Sequence, residues 1–167
     1  PEAAGVRPDR HTMLRRKSPR EPRDPRSTDL EVDVATSKRL GRIRRQGTGA
    51  ELRVRRAATD LGIGYRLANR DLPGSPDLAN RSRRWAIFVN GCFWHQHRRC
   101  RRATMPKRNR QFWVRKFAAN QARDRRNVRD LMSLGFRVVV VWECETTAKI
   151  TKRLAELKGA EIETRRR

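Results

Sequence analysis

Two short apolar runs in this chain each lead into a segment that carries cysteine. The first run, residues 85–89, precedes GCFWHQHRRC at 91–100, which holds two of the three cysteines and two of the three histidines. The second run, residues 136–142, is followed by Cys144. Runs of this length that are rich in β-branched and aromatic residues predict strands. Two strand ends therefore bring all the thiols together, at the position where α/β proteins commonly hold their chemistry.

The spacing of these residues predicts a metal site. Cys92, His97, Cys100 and Cys144 offer three thiolates and one imidazole, a closed tetrahedral set that suits structural zinc because no position is left for water. The alternative is that the cysteines are buried as small apolar side chains. Cysteines paired with histidines suit metal binding in a reducing cytoplasm better than a disulfide framework. His95 is not needed by the metal and is suited to accept a proton near neutral pH.

The charge of the chain indicates a polyanionic partner. Lys and Arg total 42 against 18 acidic residues, a formal net charge of +24 over 167 residues. Codon usage in a GC-rich genome can replace lysine by arginine, but it does not explain this excess of positive charge. Nucleic acid is the partner that such a balance favours. No apolar run is long enough to cross a membrane, so we expect no membrane partner.

The length is that of one domain with tails. Residues 1–34 are rich in proline and arginine and predict a disordered basic tail. The predicted domain spans 35–158, and 159–167 form a charged tail. Residues 35–45 predict a short helix whose large apolar residues, Leu40 and Ile43, make a poor core face, which favours contact with a partner.

Local patterns predict the elements of the domain. Thr48 with Glu51 three residues later has capping-box spacing, so a helix should begin there and end at Gly62. A meander of three short strands should follow, at 63–68, 77–79 and 85–89.

A long amphipathic helix is predicted from about 109 to 134, ended by Gly135. Its apolar stripe comprises Phe112, Trp113, Phe117, Ala118, Val128, Leu131 and Leu134. The apolar run 136–142 is typical of a central strand covered on both faces. A last helix is predicted over about 147–157.

Three acidic residues are candidates for chemistry, and each also has an ordinary structural interpretation. Asp77 follows Pro76 at the start of a short predicted strand, as in many metal-dependent nucleases, and its carboxylate can hold Mg²⁺ at a scissile phosphate. Pro-Asp is also an ordinary turn. Glu51 is equally a helix cap, and Asp124, beside several arginines, is equally suited to a surface ion pair.

Phe93 and Trp94 lie within the cysteine- and histidine-rich turn, and so tight a turn does not favour burial of both. Exposed aromatic residues in a basic setting can stack on bases or insert between them. Core packing stays open as the role of one of the two.

Taken together, five motifs resemble the very short patch repair (Vsr) family of DNA mismatch endonucleases. They are LPGSPD at 72–77, IFVNGCFWHQH at 87–97, FW at 112–113, NQARDRR at 120–126 and VVVVWEC at 138–144. The resemblance covers roughly residues 36–145, and GCFWH and VWEC are its most specific elements.

This resemblance implies a restriction-endonuclease-like α/β fold, with a mixed central sheet flanked by helices and a structural zinc. It implies a Mg²⁺-dependent enzyme that nicks duplex DNA on the 5′ side of the thymine in a G·T mismatch, which arises when 5-methylcytosine deaminates. We expect a monomer with a functional link to a cytosine-5 DNA methyltransferase.

Carried over by position, Asp77 and the backbone carbonyl of Val89 match the family's Mg²⁺ ligands, and His95 matches its general base. Glu51 and Asp124 match acidic residues near the metal-bound waters. The family's zinc ligands match Cys92, His97, Cys100 and Cys144. Its aromatic wedge at the mismatch matches Phe93 and Trp94. The apolar residues that enter the opposite groove match Leu40 and Ile43.

The chain departs from the family pattern at Val89 and Asn90, where some members carry Thr-His. A backbone carbonyl survives the change to valine, whereas the imidazole missing at Asn90 either weakens contacts to DNA phosphates or changes the rate. Two other functions stay open, a nicking endonuclease without mismatch specificity and a non-catalytic zinc-dependent DNA-binding module. Phe93 and Trp94 count against the first, and the acidic residues with His95 count against the second.

Overall fold

The computed structural model describes residues 47–165, with side chains as far as Lys158. The predicted tail 1–34 and helix 35–45, with Leu40 and Ile43, lie outside the described residues. The described elements are, in chain order, helix α1 (Gly49–Asp60), strands β1 (Leu78–Asn80) and β2 (Trp85–Asn90), helix α2 (Arg110–Ser133), strand β3 (Arg137–Trp142) and helix α3 (Thr147–Arg165).

Helix α1 begins as the sequence predicts. Thr48 is its N-cap and accepts the backbone N–H of Glu51, while the Glu51 carboxylate accepts the backbone N–H of Thr48, so the capping box is complete. The box satisfies backbone donors that a helix start leaves without an intrahelical partner. The N-terminal end of α1 is therefore fixed by its own sequence.

The sheet is mixed, with β2 between β1 and β3. Strand β1 pairs antiparallel with β2, placing Leu78 opposite Ile87, and β2 pairs parallel with β3, placing Val89 opposite Val141. The prediction of a central strand at 136–142 was wrong in position, because β3 lies at the edge of the described sheet. A run of valines indicates apolar contacts on both faces of the strand, and β3 has these contacts. The run does not indicate where the strand lies in the order of the sheet.

The predicted strand at 63–68 was also wrong, and with it the three-stranded meander. Only Arg66 pairs with the sheet, through a single bridge to Ala79. Ala68, the last residue of this segment, has a φ of +54°, which an extended strand does not accommodate. The segment therefore touches the outer edge of β1 without forming a ladder.

Side chains of the sheet alternate between two hydrophobic cores. Trp85 and Ile87 pack with α1 and α3 on one face, and Ala86 packs with Leu131 of α2 on the other. Because side chains alternate along a strand, the sheet is covered by α1 and α3 on one side and by α2 on the opposite side. The observed architecture is a small α/β domain.

Helix α2 agrees with its predicted bounds to within a residue at each end, and Gly135 follows it with a positive φ of +78°. Within its predicted apolar stripe, Phe117 and Leu131 are buried, whereas Ala118 and Leu134 are exposed and were predicted wrongly. Helix α3 continues past its predicted end near 157 to Arg165. Among the described helices, none combines the length and apolar character needed to cross a bilayer.

Candidate active site and metal centre

Four predicted ligands converge at the ends of β2 and β3. The ligand atoms of Cys92, His97, Cys100 and Cys144 all lie within 4.8 Å of one another. His97 Nδ1 lies 3.6 Å from Cys92 Sγ and 3.2 Å from Cys144 Sγ. Zn²⁺ binds thiolate sulfur at about 2.3 Å and imidazole nitrogen at about 2.0–2.1 Å, so tetrahedral ligand atoms are separated by distances of this size. The cluster fits a metal ion of the zinc type.

Neighbouring groups orient the ligands. The ring of His97 stacks on Trp142, with centroids 4.1 Å apart and an interplanar angle of 7°. The backbone N–H of Cys92 donates to Glu143 Oε2 at 3.2 Å, and the N–H of Glu143 donates to the carbonyl of Asn90 at 2.9 Å. Glu143, between β3 and Cys144, thus ties the two strand ends together.

Burial, together with a hydrogen bond to the side chain of Cys144, raises the pKa of the Cys92 thiol to about 12. In contrast, the backbone N–H of Arg102 lowers the pKa of Cys100. Without a cation nearby, the buried Cys92 thiol therefore retains its proton at neutral pH. A bound metal ion would replace that proton and compensate the charge of the thiolate.

Replacement of Cys144 by alanine should lower the melting temperature and not only the activity. Structural zinc contributes directly to folding energy, and each kcal/mol lost lowers Tm by roughly 2–8 °C in domains of this size class. Elemental analysis should find one zinc per parent chain and less in the variant. A chelator should lower the parent Tm and leave the variant Tm nearly unchanged. Active parent protein without zinc would contradict the assignment.

Asp77 lies immediately before β1, with its carboxylate turned toward β2. Asp77 Oδ2 accepts the backbone N–H of Val89 at 2.7 Å. Burial raises the pKa of Asp77, the Val89 N–H opposes this shift, and the nearby charge of Glu51 adds to it. A desolvated carboxylate close to a second acid is an environment that a divalent cation compensates. The Asp77 carboxylate offers the hard oxygen donor that ions such as Mg²⁺ prefer.

The turn before Asp77 is held from two sides. Asn69, only 1% exposed, donates from Nδ2 to the carbonyls of Arg66 and Pro76 at 2.8 and 3.0 Å. Its Oδ1 accepts Arg66 Nε at 2.9 Å. At Gly74, which has a φ of +72°, a Cβ would approach Asn127 of α2 to 2.5 Å, so only glycine fits. These contacts fix the position from which Asp77 reaches Val89.

Glu51 is primarily a cap in this structure. Its carboxylate accepts the backbone N–H of Gly47 at 2.9 Å and the hydroxyl of Thr48 at 3.0 Å, and it forms an ion pair with Arg55 at 3.1 Å. Glu51 is 5% exposed. Its carboxylate oxygens are therefore bound by residues at and just before the start of α1 and by Arg55. The negative charge of Glu51 nevertheless lies close enough to raise the pKa of Asp77.

His95 and Asp124 form a pair across the site. The two residues come from the turn after β2 and from α2, and His95 Nδ1 lies 2.5 Å from Asp124 Oδ2. Because Asp124 accepts the Nδ1 proton, Nε2 is left as the acceptor of the neutral ring. Arg123 Nη2 lies farther away, 4.0 Å from Asp124 Oδ1. The main partner of Asp124 is therefore the imidazole of His95.

The aromatic residues form a cluster that is only partly buried. Phe93 contacts the rings of Trp94, Trp113 and Phe117 edge-on, at centroid distances of 5.1, 5.4 and 5.2 Å. Phe117 is buried, whereas Phe93, Trp94 and Trp113 keep intermediate exposure. The cluster therefore has an internal anchor and an accessible surface.

Known proteins with similar sequences identify the family. A family profile described as DNA mismatch endonuclease Vsr matches residues 28–102. The DNA mismatch endonuclease Vsr of Escherichia coli (strain K12) is 36% identical over 135 residues, covering 77% of this chain and 86% of that protein. The chain belongs to the Vsr family. The predicted resemblance is thus confirmed, and with it the prediction of a DNA-cleaving hydrolase.

Other Vsr-like relatives carry a different name. The type II nicking enzyme V.XorIIP of Xanthomonas oryzae pv. oryzae (strain KACC10331 / KXO85) is 44% identical over 106 residues, covering 64% of this chain and 77% of that protein. The type II nicking enzyme V.NaeI of Lentzea aerocolonigenes is 33% identical, with 68% and 70% coverage.

Within this Vsr chain, the predicted site residues fall into local groups at the end of β2. Asp77 adjoins Val89 and Glu51, and His95 pairs with Asp124. Asn90 is the last residue of β2, opposite Trp142, and its carbonyl binds Glu143. Leu40 and Ile43 lie outside the described residues. No hydrogen bond between described residues joins His95 directly to Asp77.

Sequence reasoning did not assign site roles to Asn69, Glu143, Trp113 and Asn120. Asn120 is buried and donates to the Trp94 carbonyl at 2.9 Å. Trp113, Phe117, Asn120 and Asp124 follow one another at intervals of four, three and four residues along α2. That spacing lies on one helix face, so an (i, i+3/i+4) search for mixed aromatic and polar residues would have detected this face.

Proposed function

We propose that this Vsr-family chain is a Mg²⁺-dependent mismatch endonuclease that nicks duplex DNA on the 5′ side of the thymine in a G·T mismatch. One observation carries the proposal: the Asp77 carboxylate, the imidazole paired with Asp124 and the partly exposed aromatic cluster all lie on or against residues 89–95. The net charge of +24 supports DNA as the substrate.

Asp77 and the backbone carbonyl of Val89 would hold Mg²⁺, with Glu51 adding negative charge nearby. When bound, the ion supplies Lewis-acid stabilisation of the scissile phosphate and of the leaving 3′ oxygen. The Val89 N–H holds the Asp77 carboxylate in place, and the hydrogen bonds of Asn69 to the carbonyls of Arg66 and Pro76 limit movement of the turn before it. The chain thus contributes a positioned carboxylate in a partly desolvated setting.

His95 would act as the general base. Its Nδ1 is held by Asp124, so Nε2 accepts a proton from the attacking water, and Asp124 stabilises the imidazolium that forms. The zinc set would fix the turn between Cys92 and His97, which carries the aromatic pair and His95. Zinc would therefore have a structural role.

We further propose a restriction-endonuclease-like fold, which the three-stranded mixed sheet between helices supports. The proposed substrate is double-stranded DNA with a G·T mismatch. A monomer and a functional link to a cytosine-5 DNA methyltransferase remain parts of the same proposal.

Substitution of His95 by alanine should reduce the single-turnover nicking rate by about 10²–10⁴-fold, the usual contribution of a general base. Asp124→Asn should reduce the rate by about 10²-fold or more, because it removes the charge that orients the imidazole. In the His95→Ala background, Asp124→Asn should have little further effect, since the two residues act as one unit. If Asp124→Asn reduced the nicking rate by the same factor in the parent and in the His95→Ala background, Asp124 would act independently of His95.

Nicking of matched G·C and mismatched G·T duplexes, measured over a Mg²⁺ titration and in several flanking sequences, tests the proposed function. We expect one nick 5′ of the thymine in the G·T duplex and none in the matched duplex. Loss of nicking in Asp77→Asn under the same conditions assigns the activity to this site. No nick at any Mg²⁺ concentration would contradict the proposal.

A nicking endonuclease without mismatch specificity is the second candidate, because several relatives are named type II nicking enzymes. It predicts equal cleavage of the matched and mismatched duplexes. The same assay therefore separates the two functions.

A further inference from the structure

A basic segment connects the zinc ligands to the aromatic cluster. Residues 98–110 contain seven basic residues and no acidic residue: Arg98, Arg99, Arg101, Arg102, Lys107, Arg108 and Arg110. All seven are exposed. Within the described residues, only Arg102 among them forms an ion pair, with Glu143 at 3.5 Å. The segment therefore presents cationic side chains to solvent with little internal compensation.

The basic segment is held at both ends. Near its start, Cys100 belongs to the ligand cluster, its N–H donates to the carbonyl of His97 at 3.2 Å, and the N–H of Ala103 donates to the Cys100 carbonyl at 3.0 Å. Just beyond its end, Trp113 packs against Phe93 and Trp94. The Arg102–Glu143 ion pair ties the middle of this connection to the end of β3. The position of the cations is thus coupled to the metal centre and to the aromatic cluster.

Other basic surfaces of the described chain differ in composition. On α2, Arg123, Arg125 and Arg129 alternate with Asp124 and Asp130. Helix α3 carries exposed Lys149 and Lys152 on the opposite side of the sheet from α2. The basic segment contains no acidic residue and adjoins the candidate site.

We propose that the basic segment, whose start is held at the ligand cluster, binds the phosphate backbone next to the base pair that Phe93 and Trp94 would contact. This inference rests on the proposed function for the identity of the substrate. Guanidinium groups match phosphate geometry, and contacts to phosphate carry no sequence information.

The test compares two double variants with the same change in charge. Arg98→Gln/Arg99→Gln alters the basic segment, and Lys149→Gln/Lys152→Gln alters α3 as a control. Binding of a labelled matched duplex and of a labelled G·T duplex is measured by fluorescence anisotropy. The salt concentration is varied over roughly 50–300 mM, because the affinity that comes from contacts to phosphate falls steeply over this range. Mg²⁺ is omitted so that binding is recorded without cleavage.

The slope of log K against log salt is negative, and each phosphate that the protein neutralises adds about 0.9 to its magnitude. The magnitude of the slope should therefore be smaller by about 1–2 in the Arg98/Arg99 variant than in the parent. Its affinity for both duplexes should fall by about tenfold or more, with their ratio unchanged. The control should change the slope by clearly less. Equal effects of the two double variants, no effect, or a loss confined to the G·T duplex would each overturn the inference.

The design separates this inference from the proposed function. Nicking and mismatch preference decide the proposed function, whereas the salt slope on matched DNA decides the role of the basic segment. A parent that binds but does not nick would contradict the first while still giving an interpretable slope for the second.

Discussion

Replacement of Asp77 by alanine is expected to abolish nicking of a G·T duplex while leaving binding of that duplex nearly unchanged. The substitution removes a proposed metal ligand and leaves the aromatic cluster and basic segment intact. Binding without Mg²⁺ and single-turnover cleavage with Mg²⁺ measure the two properties separately. Wild-type nicking by Asp77→Ala would contradict the assigned active site.

Asp77→Asn is the matched control, because an amide oxygen can still accept the Val89 N–H that alanine leaves without its partner. Burial raises the pKa of Asp77, so the folded state binds the proton more tightly than the unfolded state does. The contribution of this group to stability therefore falls as pH rises from the unfolded pKa through the folded pKa. At neutral pH, metal-free Asp77→Asn should melt above the parent and Asp77→Ala should melt below Asp77→Asn. Both variants should be inactive.

Much of the fold follows from local signals in the sequence. The capping box at Thr48 and Glu51 and the stop at Gly135 define helix ends because both act through neighbouring backbone groups. The error at 63–68 has a different origin, since a strand needs a partner ladder and Ala68 adopts a left-handed conformation. The order of the strands depends on packing between distant segments, which the apolar run at 136–142 does not encode.

The candidate site was predictable where chemistry is concentrated in one segment. Cysteine and histidine spacing predicted the four residues that the fold brings within 4.8 Å. Asn69 gave no comparable signal, because a buried amide that binds the Pro76 carbonyl is recognised only after the turn has closed. Asn120 was hidden for another reason. It shares a helix face with Trp113 and Phe117, and an amphipathic stripe is defined by its apolar residues alone.

The aromatic cluster should determine mismatch discrimination. Insertion between bases costs a few kcal/mol and costs least where pairing is already weak, as at a mismatch. Phe93 and Trp94 keep exposed ring surface while Phe117 anchors the cluster from below. Phe93→Ala/Trp94→Ala should therefore bring the ratio of G·T to G·C affinity close to one. Weak binding of the matched duplex should persist, since contacts to phosphate do not depend on these rings.

Phe117→Leu is the control that separates insertion from packing, because it disturbs the buried side of the cluster and keeps both exposed rings. It should lower stability by about 1 kcal/mol, as a conservative change in core volume does, and it should retain most of the G·T preference. The preference should also survive higher salt, where phosphate contacts weaken for both duplexes equally. A Phe93/Trp94 double variant that still preferred G·T as strongly as the parent would assign discrimination to other residues. Loss of the preference in Phe117→Leu alone would instead make the packing of the cluster, and not its exposed rings, the determinant.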